Sequence, residues 1–391
     1  MDSFIPSDLR RQRQKRKLTL EVASGLAGIS PQHLSEIESS KPDPQIQGQL
    51  EFVIAIEPEF DTDELVEFGR FSRNWEQEEE LDQLLDELDT GQINDKKALL
   101  RAQKLRAKYP GNLEIQNFTA NRMWALEMRD EATEVWKQAY QQGAALIPKR
   151  YKGQITWGHV DNRSFLRIAH GYLLGLLHQR DGKAAQVVAA KLLAWCPMDN
   201  LGVRMLMGDI ALLQGDTKAA MKRYLAESHE SPAHWYQAGQ IAFRDGGYVL
   251  ACTCIRRGIA ANPYIAEGLT GRTQLKEHLY WHSSSKNGPE WAADYLNAPV
   301  CDWTQEELDF VDWVFNSAAV LKERAELMAL HEGLTYERDP VKRQEFGFQI
   351  DGFVERLTDT QSKRMVQKVK NRWDVAIWPW DRQGFRRPLP L

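Results

Sequence analysis

From Asp95 to Ala261 apolar residues recur at intervals of three and four, in stretches separated by short polar turns. That spacing puts them on one face of a helix. It predicts helices over Asp95–Lys108, Leu113–Glu127, Asp130–Ala144, Asn162–Gln179, Lys183–Trp195, Leu201–Gln214, Thr217–Ala226, Ala233–Arg244 and Tyr248–Ala261. Three turn-and-helix signatures punctuate the series: Arg180-Asp181-Gly182-Lys183-Ala184-Ala185, Gln214-Gly215-Asp216-Thr217-Lys218-Ala219-Ala220 and Arg244-Asp245-Gly246-Gly247-Tyr248. Ala185 and Ala220 lie 35 residues apart, and Pro197 and Pro263 lie 66 apart, or two periods of 33. The chain therefore carries an internal repeat of paired helices. Gly171, Gly175, Ala185, Gly208 and Ala220 are the small residues expected where neighbouring helices cross.

Outside the repeats the pattern changes. Asp61-Thr62-Asp63-Glu64 predicts a helix start followed by Leu65, Val66 and Phe68. Trp75 to Leu88 reads as an acidic helix whose stripe Leu81, Leu84, Leu85 and Leu88 needs a partner. Its acidic face is either solvated or a mimic of DNA. Trp303-Thr304-Gln305-Glu306-Glu307 has the form of a capping box and predicts a helix to about His331. Asp339-Pro340 predicts another, to near Arg372. The tail then becomes irregular and aromatic, with Trp373, Trp378, Trp380 and Phe385 beside Arg382, Arg386 and Arg387. It is expected to cap the helical body, with a contact surface as the competing role.

Charge sharpens this division. The 391-residue chain is net −5, so it is no bulk polyanion binder and any nucleic-acid contact must be local. Met1–Lys17 is net +4, Glu57–Asp89 net −12 and Gln361–Leu391 net +6. Four sparse cysteines (Cys196, Cys252, Cys254, Cys301) without a CxxC pair point to a reducing compartment. With no long apolar run and no signal-peptide pattern, a cytoplasmic, non-membrane protein is expected.

The N-terminus carries the most specific pattern. Ser7–Lys17 reads as a basic helix, and Leu20–Ala27 as a second with Thr19 as its N-cap and Gly28 at its end. Ser30-Pro31 starts a third, to about Ser39. Leu34 and Ile37 face inward, leaving Gln32, His33, Ser35 and Glu36 outside. Two short helices across a Gly-containing turn have helix-turn-helix geometry, with the second helix in the major groove. The run Leu18–Ser30, with Leu34-Ser35-x-Ile37-Glu38-x-x-Lys41-x-x-Pro44, resembles the Cro/phage-repressor (Xre-like) family over about Leu9–Ile56. The resemblance implies a five-helix DNA-binding domain that works as a dimer on two half-sites. It implies that Gln32, His33, Ser35 and Glu36 read bases, with Arg10, Arg13, Lys17 and Lys41 near phosphates.

The repeats of about 34 residues resemble tetratricopeptide repeats over about Asp95–Asn262. That resemblance implies a stacked superhelix with a concave groove for a peptide, a protein or a second subunit. Asn162, Arg163, Arg167, Asn200 and Arg204 lie near the starts of the groove-lining helices. They are candidates to hold a peptide backbone or carboxylate, with helix capping as the alternative role.

Catalytic motifs are absent from the sequence. His278 and His282 are i, i+4 on an expected helix but lack the HExxH order and a third ligand. Cys252 and Cys254 should face different sides of a helix. No phosphate loop, GxSxG or dinucleotide fingerprint occurs, and no enzyme activity, metal or cofactor is expected. The fold expected is all-α: an Xre-like domain (1–72), an acidic linker (73–92), a tetratricopeptide-like domain (93–285) and a C-terminal helical cap (286–391). The function expected is a transcriptional regulator that binds a double-stranded operator as a homodimer and takes a peptide or protein in its groove. The alternative is an interaction scaffold, or an antitoxin-like or defence-operon adaptor, whose head controls only its own gene.

Overall fold

A computed structural model describes residues 50–58, 65–72, 74–278, 288–298 and 302–382. The helix-turn-helix segment lies outside the described residues, with Arg10, Arg13, Lys17, Gln32, His33, Ser35, Glu36 and Lys41. So do His282, Cys301, Phe385, Arg386 and Arg387. The described residues are predominantly helical, with seventeen α-helices. They form two compact units divided at Val203/Arg204, inside the stretch the sequence reads as one repeat domain.

The first unit opens on a feature the sequence reading misses. Strand β1 (Phe52–Pro58) pairs antiparallel with β2 (Leu65–Phe71), Phe52 opposite Phe71 and Ala55 opposite Phe68. The expected helix start at Asp61–Glu64 lies outside the described residues, but Leu65, Val66 and Phe68, expected to continue that helix, lie in a strand. Phe52-Val53-Ile54-Ala55-Ile56 is a run of β-branched and aromatic residues, which pack well on a pleated, half-buried surface. Strand β2, grouped by the sequence with the head, is packed against the first unit's helices: Phe71 is buried and its ring lies 4.3 Å from that of Phe165.

Helices then pair in chain order: α1 (Trp75–Asp89) with α2 (Asp95–Lys108), α3 (Leu113–Ala125) with α4 (Arg129–Leu146), and α5 (Arg163–His178) with α6 (Gly182–Trp195). Each first helix ends in the same way. Gly91, Glu127 and Arg180 have φ of 72°, 63° and 58°. The next N–H reaches back five residues, from Gln92 to Glu87, Met128 to Met123 and Asp181 to Leu176. This left-handed ending satisfies carbonyls that the helix leaves without intrahelical partners and turns the chain into the second helix. Asn94 and Asp181 then cap α2 and α6 by accepting from Lys97 and Ala184 N–H.

The partner for the acidic helix is its neighbours. Leu81 and Leu84 of α1 are buried with Ala98, Ala102 and Leu105 of α2 and Ile115 and Phe118 of α3, while Glu76, Glu79, Asp82 and Asp86 face solvent. The expected close crossings also occur: a Cβ on Gly171 would stand 2.4 Å from Trp136, and one on Gly175 2.3 Å from Thr133.

In the second unit a short 3-10 turn (Val203–Leu206) leads into α7 (Met207–Leu213). It pairs with α8 (Thr217–Glu227), and α9 (Pro232–Arg244) pairs with α10 (Tyr248–Ala261). Gly215 and Gly246 repeat the positive-φ ending, with Asp216 N–H on Ala211 and Gly247 N–H on Ala242. Five residues after Glu127, Arg180, Gly215 and Gly246 comes an alanine (132, 185, 220, 251) with no exposed surface. The sequence period is thus also a conformational period. Cys252 and Cys254 lie in different apolar clusters, consistent with their opposed faces.

Among the described residues seven helices follow: α11 (Pro263–Leu269), α12 (Pro289–Leu296), α13 (Gln305–Asn316), α14 (Ala318–Tyr336), α15 (Pro340–Asp351), α16 (Phe353–Arg356) and α17 (Asp359–Met365). The Thr304/Glu307 capping box forms as expected. The helix expected to continue to His331 breaks at Ser317, which has extended ψ and whose side chain starts α14 by accepting from Val320 N–H. The helix expected to reach Arg372 stops at Asp351. A small hairpin, β3 (Val369–Lys370) with β4 (Ala376–Ile377), then leads to the aromatic tail. Trp378 and Trp380 stack with centroids 5.0 Å apart, and Trp380 packs on Phe310, Trp313 and Tyr248. The described part of the tail, to Arg382, packs on its own unit. No described helix is long and apolar enough to cross a membrane.

Candidate functional site

The five groove candidates differ in burial and in partners. Asn162 has no exposed area. Its Oδ1 accepts from Phe71 N–H at 3.1 Å and its Nδ2 donates to the Gly69 and Thr156 carbonyls at 2.9 and 3.2 Å. Every polar atom of this side chain is engaged in fastening β2 to the start of α5. It is a staple rather than a groove residue, because burial leaves no face for a peptide. Arg163 and Arg167 do come together, their guanidinium carbons 5.2 and 5.3 Å from the Trp157 ring centroid. Arg163 Nε donates to the Trp157 carbonyl at 3.1 Å. Arg167 pairs with Glu114 at 3.3 Å, and Ser164 donates to the same carboxylate. Asn200 is exposed beside Cys196, whose thiol lies 3.8 Å from its Oδ1. Arg204 is exposed at the start of the second unit.

The loop before α5 is the region that sequence reasoning passed over. Tyr151 N–H donates to the Pro148 carbonyl at 2.9 Å, closing a turn with Lys149 and Arg150 at its exposed corner and Lys152 just beyond. Tyr151 points the other way, its ring edge-on to Phe52 at 5.3 Å and its hydroxyl donating to the Gln154 carbonyl at 2.7 Å. Burial pushes its phenol above the ordinary range, with the Glu67 carboxylate adding to the effect, so the hydroxyl remains a donor. The following residues lie along β2: Gln154 N–H donates to the Glu67 carbonyl at 2.9 Å, and Gly69 N–H to the Gln154 carbonyl at 2.7 Å. A Cβ on Gly153 would stand 2.1 Å from the Glu67 carbonyl oxygen, so only glycine permits this approach. The signal available in sequence was charge: no Asp or Glu occurs between Glu134 and Asp161, a stretch holding Lys137, Lys149, Arg150 and Lys152.

The second unit holds three buried polar groupings. Tyr224 donates to Asp209 at 2.6 Å, and the His234 ring lies 5.1 Å from it with Nε2 3.1 Å from the Met205 carbonyl. Burial raises Asp209 to about 6 and lowers His234 to about 4. Arg256 is buried on Glu323 (2.5 and 3.1 Å), the Thr358 carbonyl and Ser362, at the floor of a cleft of about 390 Å³. His278 is not helical. It sits 3.2 Å from buried Glu267, which also pairs with Arg272 at 3.1 Å. Among the described residues no His, Cys, Asp and Glu are grouped to hold a metal ion. Burial raises Cys252 to about 11 and Cys254 to about 12, leaving both thiols protonated and poor nucleophiles. The first two groupings bind one helix to another, and the third ties α11 to the chain that follows it.

No family model, curated protein or solved structure matches the chain.

Proposed function

We propose that the chain is a sequence-specific DNA-binding regulator, with an N-terminal helix-turn-helix head and a tetratricopeptide-like body that pairs with a second copy or holds a peptide or protein. The observation that carries this reading is the Leu18–Pro44 sequence pattern: an N-cap residue, a glycine, a second N-cap residue with Pro31 behind it, and apolar Leu34 and Ile37 three apart. On this reading Gln32, His33, Ser35 and Glu36 meet base edges, while Arg10, Arg13, Lys17 and Lys41 meet phosphates. The body reading is supported by the repeated left-handed helix ending with its buried alanine five residues later. A unit of two helices has one unburied apolar face, so such units stack on their neighbours.

The test is a gel shift with duplex DNA from the promoter of the chain's own gene. The wild-type protein is expected to retard it, and the double variant Gln32→Ala/His33→Ala to lose discrimination against a scrambled duplex. Failure of the wild-type protein to retard any duplex at low salt, with a stable protein partner recovered in its place, would favour the scaffold reading.

A further inference from the structure

We propose that the turn Pro148–Lys152 is a second DNA-contacting element, one that grips phosphates of the duplex held by the head. The inference rests on the regulator reading. Lys149, Arg150 and Lys152 are all exposed, and among the described residues none of the three forms an ion pair or hydrogen bond through its side chain. They stand in a stretch without a carboxylate, in a chain that is net acidic. Three exposed cations on one turn, without an ion pair among the described residues, are a phosphate-binding arrangement without base selectivity.

Position supports the choice of duplex DNA. The head precedes residue 50, and the described chain resumes there and enters β1 at Phe52. Phe52 packs directly on Tyr151, the residue between Arg150 and Lys152. The basic turn is therefore one side chain away from where the head joins the body. It is also held firmly, by the Tyr151 hydroxyl, by Gln154 on both neighbouring carbonyl and amide groups of β2, and by the close approach at Gly153. On the regulator reading, a rigid cationic corner beside Phe52 would meet backbone that flanks the site bound by the head. An acidic protein surface is the competing partner, and the experiment separates the two.

The experiment is fluorescence anisotropy of the full chain with the promoter duplex and a scrambled duplex, titrated between about 0.05 and 0.2 M salt. Each phosphate neutralised contributes about 0.9 to the slope of log K against log salt. The triple variant Lys149→Gln/Arg150→Gln/Lys152→Gln is expected to lower that slope by about 2–3 and to weaken both duplexes equally, by roughly 10²-fold near 0.15 M. Its melting temperature should be unchanged, because the three side chains are exposed. Lys149→Arg/Lys152→Arg should keep the wild-type slope. Wild-type binding with an unaltered slope in the triple variant overturns the proposal and leaves the regulator reading standing. Absence of wild-type binding to either duplex overturns both.

Discussion

Single residues carry more of this fold than their chemistry suggests. Arg180 occupies the left-handed position that Gly215 and Gly246 fill in the next two repeats. A side chain there costs about 1 kcal/mol or more. Arg180→Gly is therefore expected to raise stability by about 1 kcal/mol, and Gly215→Ala to lower it by a similar amount. A Cβ on Gly215 meets nothing within 4 Å, so the backbone alone sets that cost, and urea denaturation of the two variants measures it. A second residue-scale expectation concerns pH. Asp209 titrates near 6 in the fold against an ordinary 3.8, so its contribution to stability grows as pH falls from about 6 to about 4. His234 titrates near 4 against 6.5, so its contribution is lost as pH falls from about 6.5 to about 4. The two oppose each other. Asp209→Asn keeps an acceptor for Tyr224 and leaves only the histidine term. Its urea midpoint should drop more steeply than that of the wild-type protein between pH 6.5 and 4. Parallel curves would contradict the assignment.

At the scale of elements, Asn162 joins a strand to a helix. Asn162→Ala strands the Phe71 N–H and the Gly69 carbonyl in a buried place. A cost of about 2–4 kcal/mol is expected, with faster hydrogen exchange confined first to β2. Uniform loosening of the whole unit would argue that the staple is not local. Trp380→Ala removes a ring from the Phe310–Trp313–Tyr248 cluster and should cost about 3–5 kcal/mol by thermal or chemical melting. The helices were legible because the apolar period agreed with the turn signatures at Arg180–Ala185, Gln214–Ala220 and Arg244–Tyr248 and with the capping box at Thr304. The β1–β2 hairpin was not, because the Asp61–Glu64 cluster also reads as a helix start. The break at Ser317 was hidden because both flanking segments keep a helical period. Burial decided the rest: Asn162 looked like any polar residue at a helix start, and only the strand laid across it made it structural. The charge run at Lys149–Lys152 was visible in the chain, but its place beside Phe52 depends on Gly153 and Tyr151 meeting β2.

At the scale of the whole molecule, a net charge of −5 is distributed as basic ends around an acidic linker. On the proposed reading DNA would be bound through local basic patches, so the affinity should fall steeply with salt. If two heads act together, footprinting should show two protected half-sites about 34–36 Å apart. A single half-site duplex should bind much more weakly. A monomeric footprint of one half-site would remove the dimer from the account while keeping the head.

The strand that follows the head is pinned along β2, and β2 is pinned by one amide to the first turn of α5. No slack therefore separates residue 50 from the repeats. On the proposed reading, a shift of that first turn would carry residue 50 with it, and with residue 50 the attachment of the head, as a lever carries its load.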